Sequence, residues 1–343
     1  MQTTPRESGY RMPAEWEEHE ATWLSWPKNP LTFPATKLPT VESVYCEIVR
    51  ALSYGEKVKI LVDNEEMEER VERELEMAEA KMKNVLLVKL KSADVWIRDY
   101  GPTFLLDKKG GKALAKWNFN AWGGKYDDLL YDDVAGEAVA LASKAKIFRP
   151  GIVLEGGSID VNGAGAVLTT EQCLLNKNRN PSLSRGKIEK YLKDYLNVNS
   201  VIWLKSGIEG DDTDGHIDDF ARFVSKKHVL CAFDDASNDE NTLVLRKNLE
   251  ILGKTDFEIT KLPMPKPLVD PEEGRRLPAS YANFYIGNKA VLLPVFGDGK
   301  DREAISILRS FFPKREIVPI EASELVYGYG GIHCVTQQEP KGR

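Results

Sequence analysis

Apolar and polar positions alternate along this chain in a recurring order. Apolar residues three and four apart predict helices near Thr40–Ser53, Glu65–Lys83, Asp133–Lys144, Ser184–Leu196, Asn238–Leu252 and Asp301–Phe312. Short β-rich runs follow them: Lys57–Val62, Val85–Leu90, Ser200–Leu204, Phe257–Leu262 and Glu316–Ile320. Paired strand-like runs then recur. Ile152–Val161 goes with Ala164–Thr169, His216–Val224 with His228–Phe233, and Tyr281–Ile286 with Ala290–Pro294. Each pair is broken by a turn signal: Asn162-Gly163, Ser225-Lys226 and Gly287-Asn288. The charged run Glu65–Lys83 reads as a solvated helix face carrying i,i+4 pairs such as Glu69–Arg73.

This order predicts an internally repetitive α/β fold of helix–strand–hairpin units. Repeats of several tens of residues commonly form propellers or solenoids. A doubly wound α/β sheet is the competing architecture. It fits less well, because no GxGxxG follows a strand and the paired runs look like antiparallel hairpins.

Bulk properties then narrow the classes. The chain has 343 residues, which by length alone suggests two domains, although α/β folds that close on themselves often run longer as one. A net charge of −6 argues against nucleic acid as the main partner, since phosphate binding needs a basic face. It does not oppose a small cation. The first twenty residues lack the apolar core of a signal peptide, and no apolar run approaches membrane-spanning length. The expected compartment is the cytoplasm.

Polar punctuation gathers in five places: Ser92–Asp99, Leu154–Gly157, Gly210–Asp218, Ala279–Asn283 and Gly330–Cys334. Taking Asp94, Glu155, His216, Asn283 and Cys334 as lead residues, the successive separations are 61, 61, 67 and 51. Each lies after a β-rich run, at the entry to the next strand. In a closed repeat such positions converge on the axis, so one Asp, Glu, His, Asn and Cys would meet there.

The four cysteines, Cys46, Cys173, Cys231 and Cys334, are far apart with no CxxC, which fits free thiols better than disulfides or a zinc ribbon. Cys46, Cys173 and Cys231 sit among apolar neighbours and read as packed side chains. Cys334 follows Gly328, Gly330 and Gly331 and precedes Thr336-Gln337-Gln338, a setting for a reactive thiol. Of four histidines, His19 and His228 read as surface residues. His333 reads as a strand neighbour of Cys334 facing the opposite way. His216, within an acidic run, is the candidate acid/base.

Asp211, Asp212, Asp214, His216 and Asp218 invite a metal-hydrolase reading, but match neither an EF-hand nor an HExxH pattern. A non-catalytic propeller scaffold is a third class, with no need for this Cys, His and carboxylate set. Two carboxylates suit a guanidinium, which is planar, charged and rich in donors. Asp94 and Asp218 are the candidate holders. Trp96 and Trp122 could stack on an attached methylene chain, or simply be core.

Eight segments in order resemble the agmatine deiminases, a branch of the guanidine-modifying enzymes that includes bacterial-type peptidylarginine deiminases. They are Met12–Trp16 with His19–Trp23, Trp96–Thr103, Leu154–Ile159, Leu174–Pro181, Gly210–Asp218, Ser280–Phe284 and Gly331–Gln338. The resemblance spans nearly the whole chain. It implies one catalytic domain over residues 1–343, folded as a pentein-like, five-fold pseudo-symmetric α/β propeller. It implies Cys334 as nucleophile, His216 as acid/base and Glu155 as its carboxylate partner. Asp94 and Asp218 would hold the guanidinium, and Asn283 matches a position used in the peptidylarginine branch. The implied reaction converts agmatine to N-carbamoylputrescine through a covalent thiouronium, with no cofactor and no metal. Arginine or peptidyl-arginine are alternative substrates, and an amidinotransferase would pass the amidino group to an amine instead. Two departures stand out: Gly331 replaces the usual Asn, and Tyr100 stands where many members have Thr. A homodimer is the base-rate expectation for a soluble enzyme.

Overall fold

The structure is a computed structural model and describes residues 3–235 and 239–343. Among those residues the strands form five small mixed sheets. Four repeat one plan in chain order. A strand leaves a polar loop and turns back in an antiparallel hairpin; the chain then crosses over through a helix to add a parallel strand outside. Thr103–Asp107, Lys112–Ala115 and Lys146–Phe148 follow this plan in the first, with the helix Asp132–Ala142 as crossover, and Tyr10–Arg11 adds a fourth strand antiparallel to Thr103–Asp107. Asp160–Val161, Ala166–Thr170 and Ser200–Leu204 form the second, crossed by Arg185–Leu196. The third is Ala221–Ser225, His228–Phe233 and Glu258–Pro263, and the fourth Tyr285–Ile286, Ala290–Val295 and Glu316–Glu321. Their crossovers are the helices Glu240–Leu252 and Asp301–Phe311.

The fifth sheet joins the two ends of the chain. Gln337–Pro340 pairs antiparallel with His19–Ser25, which continues through the helix Leu38–Ser53 to parallel Lys57–Val62 and Val85–Lys89. Glu339 reinforces this closure: it is buried and accepts from Trp23 Nε1 at 2.8 Å, Lys59 Nζ at 2.6 Å and Lys112 Nζ at 2.7 Å. Crossover helices pack one apolar face on their sheets, as period-3.6 patterning requires. Val41, Val44, Ile48, Val49 and Leu52 do this for Leu38–Ser53. No helix among the described residues is long and apolar enough to cross a membrane.

Helix and outer-strand expectations fall within a few residues of the observed bounds, except Glu65–Lys83, which ends as a helix at Met77. Its i,i+4 pair is Arg70–Glu74 rather than Glu69–Arg73. Asn238, expected to begin a helix, lies outside the described residues. The hairpins are shorter than their apolar runs suggested. Ile152–Ile159, His216–Phe220 and Tyr281–Phe284 are not strand; they are loops and single 3₁₀ turns such as Gly156–Ser158 and Ile217–Asp219 that deliver polar side chains inward. His333 and Cys334 likewise lie in the turn Ile332–Val335, not a strand. His19 is not a surface residue: it is 4% exposed, with Nδ1 on Glu56 and Nε2 on the Glu15 carbonyl. His228 is half-buried against Thr260 and Glu258.

Candidate active site

The five loops that enter the inner strands meet at one place. Cys334, in the last loop, is 6% exposed. Asn283 holds it from the fourth, donating from Nδ2 to the Cys334 sulfur at 3.2 Å and to Asp219 Oδ1 at 2.9 Å. Asp218, from the third, brings Oδ2 to 3.9 Å from the sulfur. His216 is fully buried in the same loop, and neither of its ring nitrogens has a hydrogen-bond partner among the described residues. Glu155, from the second loop, lies with Cys173 and His216 in a group whose potential ligand atoms are all within 4.8 Å.

The first loop brings a correction. Asp94 faces away, accepting from Thr32 Oγ1 (2.5 Å), Val95 N (2.8 Å) and Trp96 Nε1 (3.1 Å). The carboxylate that reaches the site is Asp99. Its Oδ1 is 3.7 Å from His216 Nδ1 and accepts from Gly157 N at 2.9 Å, while Oδ2 accepts from Trp122 Nε1 at 2.9 Å. The helical turn Ile97–Tyr100 separates the two aspartates and points them in different directions. Nothing in the spacing distinguished them.

Gly157 makes room for this cluster. A Cβ there would lie 2.6 Å from His216 Nδ1, 2.9 Å from Asp99 Oδ1 and 3.0 Å from Asp218 Oδ2. The Gly331 departure also has a local reason, since a Cβ at that position would come within 2.4 Å of Asn283 Oδ1, the group that packs against Cys334. Tyr100 is buried and donates from its hydroxyl to the Asp94 carbonyl, away from the cavity wall.

A cavity of about 270 Å³ opens onto Cys334, Asp99, Trp96 and Trp122. Trp122 stands in the turn Ala121–Gly124, all four residues of which have positive φ. Two of them are not glycine, and such conformations cost of order 1–3 kcal/mol each, held here by packing. Trp96 is steadied by Asp94 and Phe33. Further out, Tyr126, Tyr327 and Tyr329 and the carboxylates Asp128, Asp212, Asp270 and Glu273 line the mouth, and among the described residues no lysine or arginine lines it.

Electrostatics follow from this crowding. Burial pushes the Cys334 thiol well up, and Asp218, Asp219 and Asp99 push it further. Burial works to lower the His216 imidazole, but Asp99, Asp218 and Glu155 outweigh it and raise it. Burial also raises Asp99, although His216 opposes this. Burial would raise Asp218 too, yet the hydrogen bond and charge of His333 bring it below the ordinary carboxylate range.

Two groups at the site were given no chemical role in the sequence: Arg179, which lies in the segment Leu174–Pro181, and Cys173, which read as a packed side chain. Arg179, fully buried, donates from Nε to Glu155 Oε1 at 2.6 Å and from Nη1 to Asp214 at 2.5 Å. Cys173 is not only packing: its sulfur is 4.0 Å from Glu155 Oε2. The acidic run is largely engaged by its surroundings. Asp211 accepts the Thr213, Gly215 and His216 backbone N–H groups, Asp212 binds Tyr126 and Arg275, and Asp214 binds Arg179, Asn178 and Lys125.

A buried thiol, an imidazole and several carboxylates brought together by five similar loops define a site for cysteine chemistry on a small cation. The model of the Porphyromonas-type peptidyl-arginine deiminase family matches residues 11–340, and the chain belongs to that family. Agmatine deiminase of Pseudomonas aeruginosa (strain LESB58) is 39% identical over 370 residues, covering 99% of this chain and 98% of its own. The solved agmatine deiminase of Enterococcus faecalis superposes with a TM-score of 0.92 at 34% identity, over 99% of this chain and 98% of that one. A cysteine-to-serine variant of C. jejuni agmatine deiminase with substrate bound gives 0.88 at 34% identity, with 97% of each chain covered.

Proposed function

We propose that the protein hydrolyses the guanidinium of agmatine to N-carbamoylputrescine and ammonia. The observation that carries the reading is the buried Cys334 thiol with Asp99, Asp218 and His216 around it, at the floor of a cavity with an acidic mouth. Asp99 and Asp218 supply the negative charge that a guanidinium requires. The same charge keeps the free thiol protonated, so a bound guanidinium, by offsetting it, favours the thiolate where it is needed.

The thiol proton leaves to solvent as the guanidinium binds, His216 staying protonated, and the thiolate adds to the guanidinium carbon. The C–N bond then breaks and ammonia leaves with a proton from His216. Water adds to the resulting thiouronium as His216 takes one of its protons. The C–S bond breaks, giving the urea and restoring the thiol. Asn283 donates toward the sulfur throughout.

The mouth supports agmatine over arginine. Asp128, Asp270 and Glu273 would attract a free ammonium and repel an α-carboxylate, and nearby Arg275 is paired with Asp212. Trp96 and Trp122 suit the methylene chain between the two charged ends. In this reading the five sheets ring one axis as a five-fold pseudo-symmetric propeller, and residues 1–343 make a single catalytic unit. The repeated hairpin-and-crossover plan and the end-to-end closure support it.

The test is ammonia release from agmatine and from arginine in EDTA, beside the Cys334→Ala variant. Release from agmatine by the wild type alone is expected. Loss of activity to EDTA would favour a metal hydrolase, and release by the variant would remove Cys334 as nucleophile.

A further inference from the structure

Beside Cys334 in sequence, His333 turns its ring away from the thiol and into a buried row of charges. Nδ1 lies 2.6 Å from Asp218 Oδ2 and Nε2 lies 2.7 Å from Glu15 Oε2. Both neighbours are carboxylates and His333 is 2% exposed. A neutral imidazole has one donor and one acceptor nitrogen, so one contact would set a lone pair against a carboxylate oxygen. With both carboxylates ionised, only the doubly protonated ring donates to each.

Resting on the guanidinium-hydrolase reading above, we infer that His333 is a positioning residue: as an imidazolium clamped between Glu15 and Asp218, it fixes the Asp218 carboxylate for the substrate. With Oδ2 held by Nδ1, Asp218 Oδ1 is the oxygen left over, buried and without a hydrogen-bond partner among the described residues. An unpaired buried carboxylate oxygen is costly unless a donor arrives, and a guanidinium brings several. The backbone of His333 arranges two more groups. Its N–H donates to Asn283 Oδ1 at 2.8 Å, which turns the Asn283 amide toward Cys334, and its carbonyl accepts from Arg98 Nε at 3.3 Å.

The surroundings favour the charged clamp. Glu15 Oε1 accepts from Arg222 Nη2 at 2.9 Å and from Ile286 N at 2.8 Å, and Arg98 Nη2 stands 3.7 Å from Glu15 Oε2. Arg222 also pairs with Asp160. Around Asp218 stand His216, Arg222, Asp219, Asp99 and Cys334, and the Tyr285 ring packs near the imidazole. Burial alone would raise Glu15, but Arg222 foremost, with His333 and Arg98, holds it below the usual carboxylate range, so Glu15 is ionised near neutrality. Burial would raise Asp218 as well, and it is the contact with His333 first, with His216 and Arg222 behind it, that brings Asp218 below that range. Removing the imidazolium would let Asp218 rise, so the loss of activity on acidification would begin at higher pH.

The experiment is the pH dependence of kcat/KM for agmatine in wild type, His333→Gln and Glu15→Gln. In His333→Gln the acid limb moves up by about one pH unit, which is about tenfold in kcat/KM on that limb, and the deficit shrinks at alkaline pH. Glu15→Gln keeps Asp218 bonded to a ring that no longer needs its second proton, so the limb moves the same way by less. It also serves if His333→Gln fails to fold. Profiles parallel to wild type in the variants that fold would mean a merely structural role and overturn the inference. Nitrogen-15 NMR of the His333 ring in the wild-type protein gives a readout independent of turnover. Two protonated nitrogens at neutral pH are expected, and a neutral tautomer would overturn the clamp. A wild type that releases no ammonia would instead remove the functional reading, leaving the ring spectrum to decide the protonation state.

Discussion

Exchanging one carboxylate oxygen for an amide separates the two aspartates of the first loop. In Asp99→Asn the shape is kept and the charge is lost. A carboxylate and a guanidinium about 4 Å apart at an effective dielectric of about 20 attract by about 4 kcal/mol. Desolvation takes back part of that, leaving about 2–4 kcal/mol, or about 30- to 1,000-fold in kcat/KM. Stability is pulled two ways. Burial holds Asp99 above its ordinary value, so removing the charge relieves a cost in the folded state. An amide, though, can accept from only one of Gly157 N and Trp122 Nε1, and losing the other bond costs about 1–3 kcal/mol, so the melting temperature changes little or falls modestly. Asp94→Asn should spare activity. Asp94, raised to about 6 mainly by burial, accepts from Thr32, Val95 and Trp96 and does not line the cavity. Disturbing those bonds costs about 1–3 kcal/mol of stability, while kcat/KM stays within about fivefold. The assay is steady-state ammonia release from agmatine with a thermal melt of each variant. A crippled but fully stable Asp94→Asn, beside an Asp99→Asn of nearly normal activity, would refute the placement.

Other outcomes follow from the same geometry. Because burial and the surrounding carboxylates, Asp218 foremost, hold the Cys334 thiol up, iodoacetamide should label it slowly at neutral pH and faster with rising pH; an early plateau near pH 7 would contradict this. Neutralising the mouth with Asp128→Asn and Glu273→Gln should raise KM for agmatine about two- to fivefold per residue with kcat nearly unchanged, and lessen the bias against arginine, as steady-state kinetics on both substrates would show. Glu339→Ala should cost about 3 kcal/mol in denaturant unfolding, because it strands Lys59 and the Trp23 indole N–H and leaves Lys112 with Glu20 alone where the chain ends meet. Burial raises Glu339, but its lysine bonds win and lower it, so its contribution is full above the ordinary carboxylate pKa and fades as pH falls below it; melts across pH 3–6 would show the variant's deficit closing on acidification.

The amphipathic helices, the outer strands and the repeat itself were legible in the sequence, because side-chain periodicity follows directly from backbone geometry. So were the five polar loops and the singular setting of Cys334 among glycines. What tertiary structure alone decided is where each loop aims its side chains. A single turn, Ile97–Tyr100, puts Asp99 at the thiol and Asp94 behind Trp96, and no periodicity reports the direction of so short a turn. Arg179, Asp219, Glu15 and His333 gained their roles only when segments 24 to 318 residues apart came into contact. The closing strand Gln337–Pro340 is polar by composition yet wholly buried, because its partner His19–Ser25 lies at the other end of the chain. Local pattern depends on neighbours a few residues away and is written in order along the chain. Charge environment depends on neighbours in space, and only the folded chain supplies them.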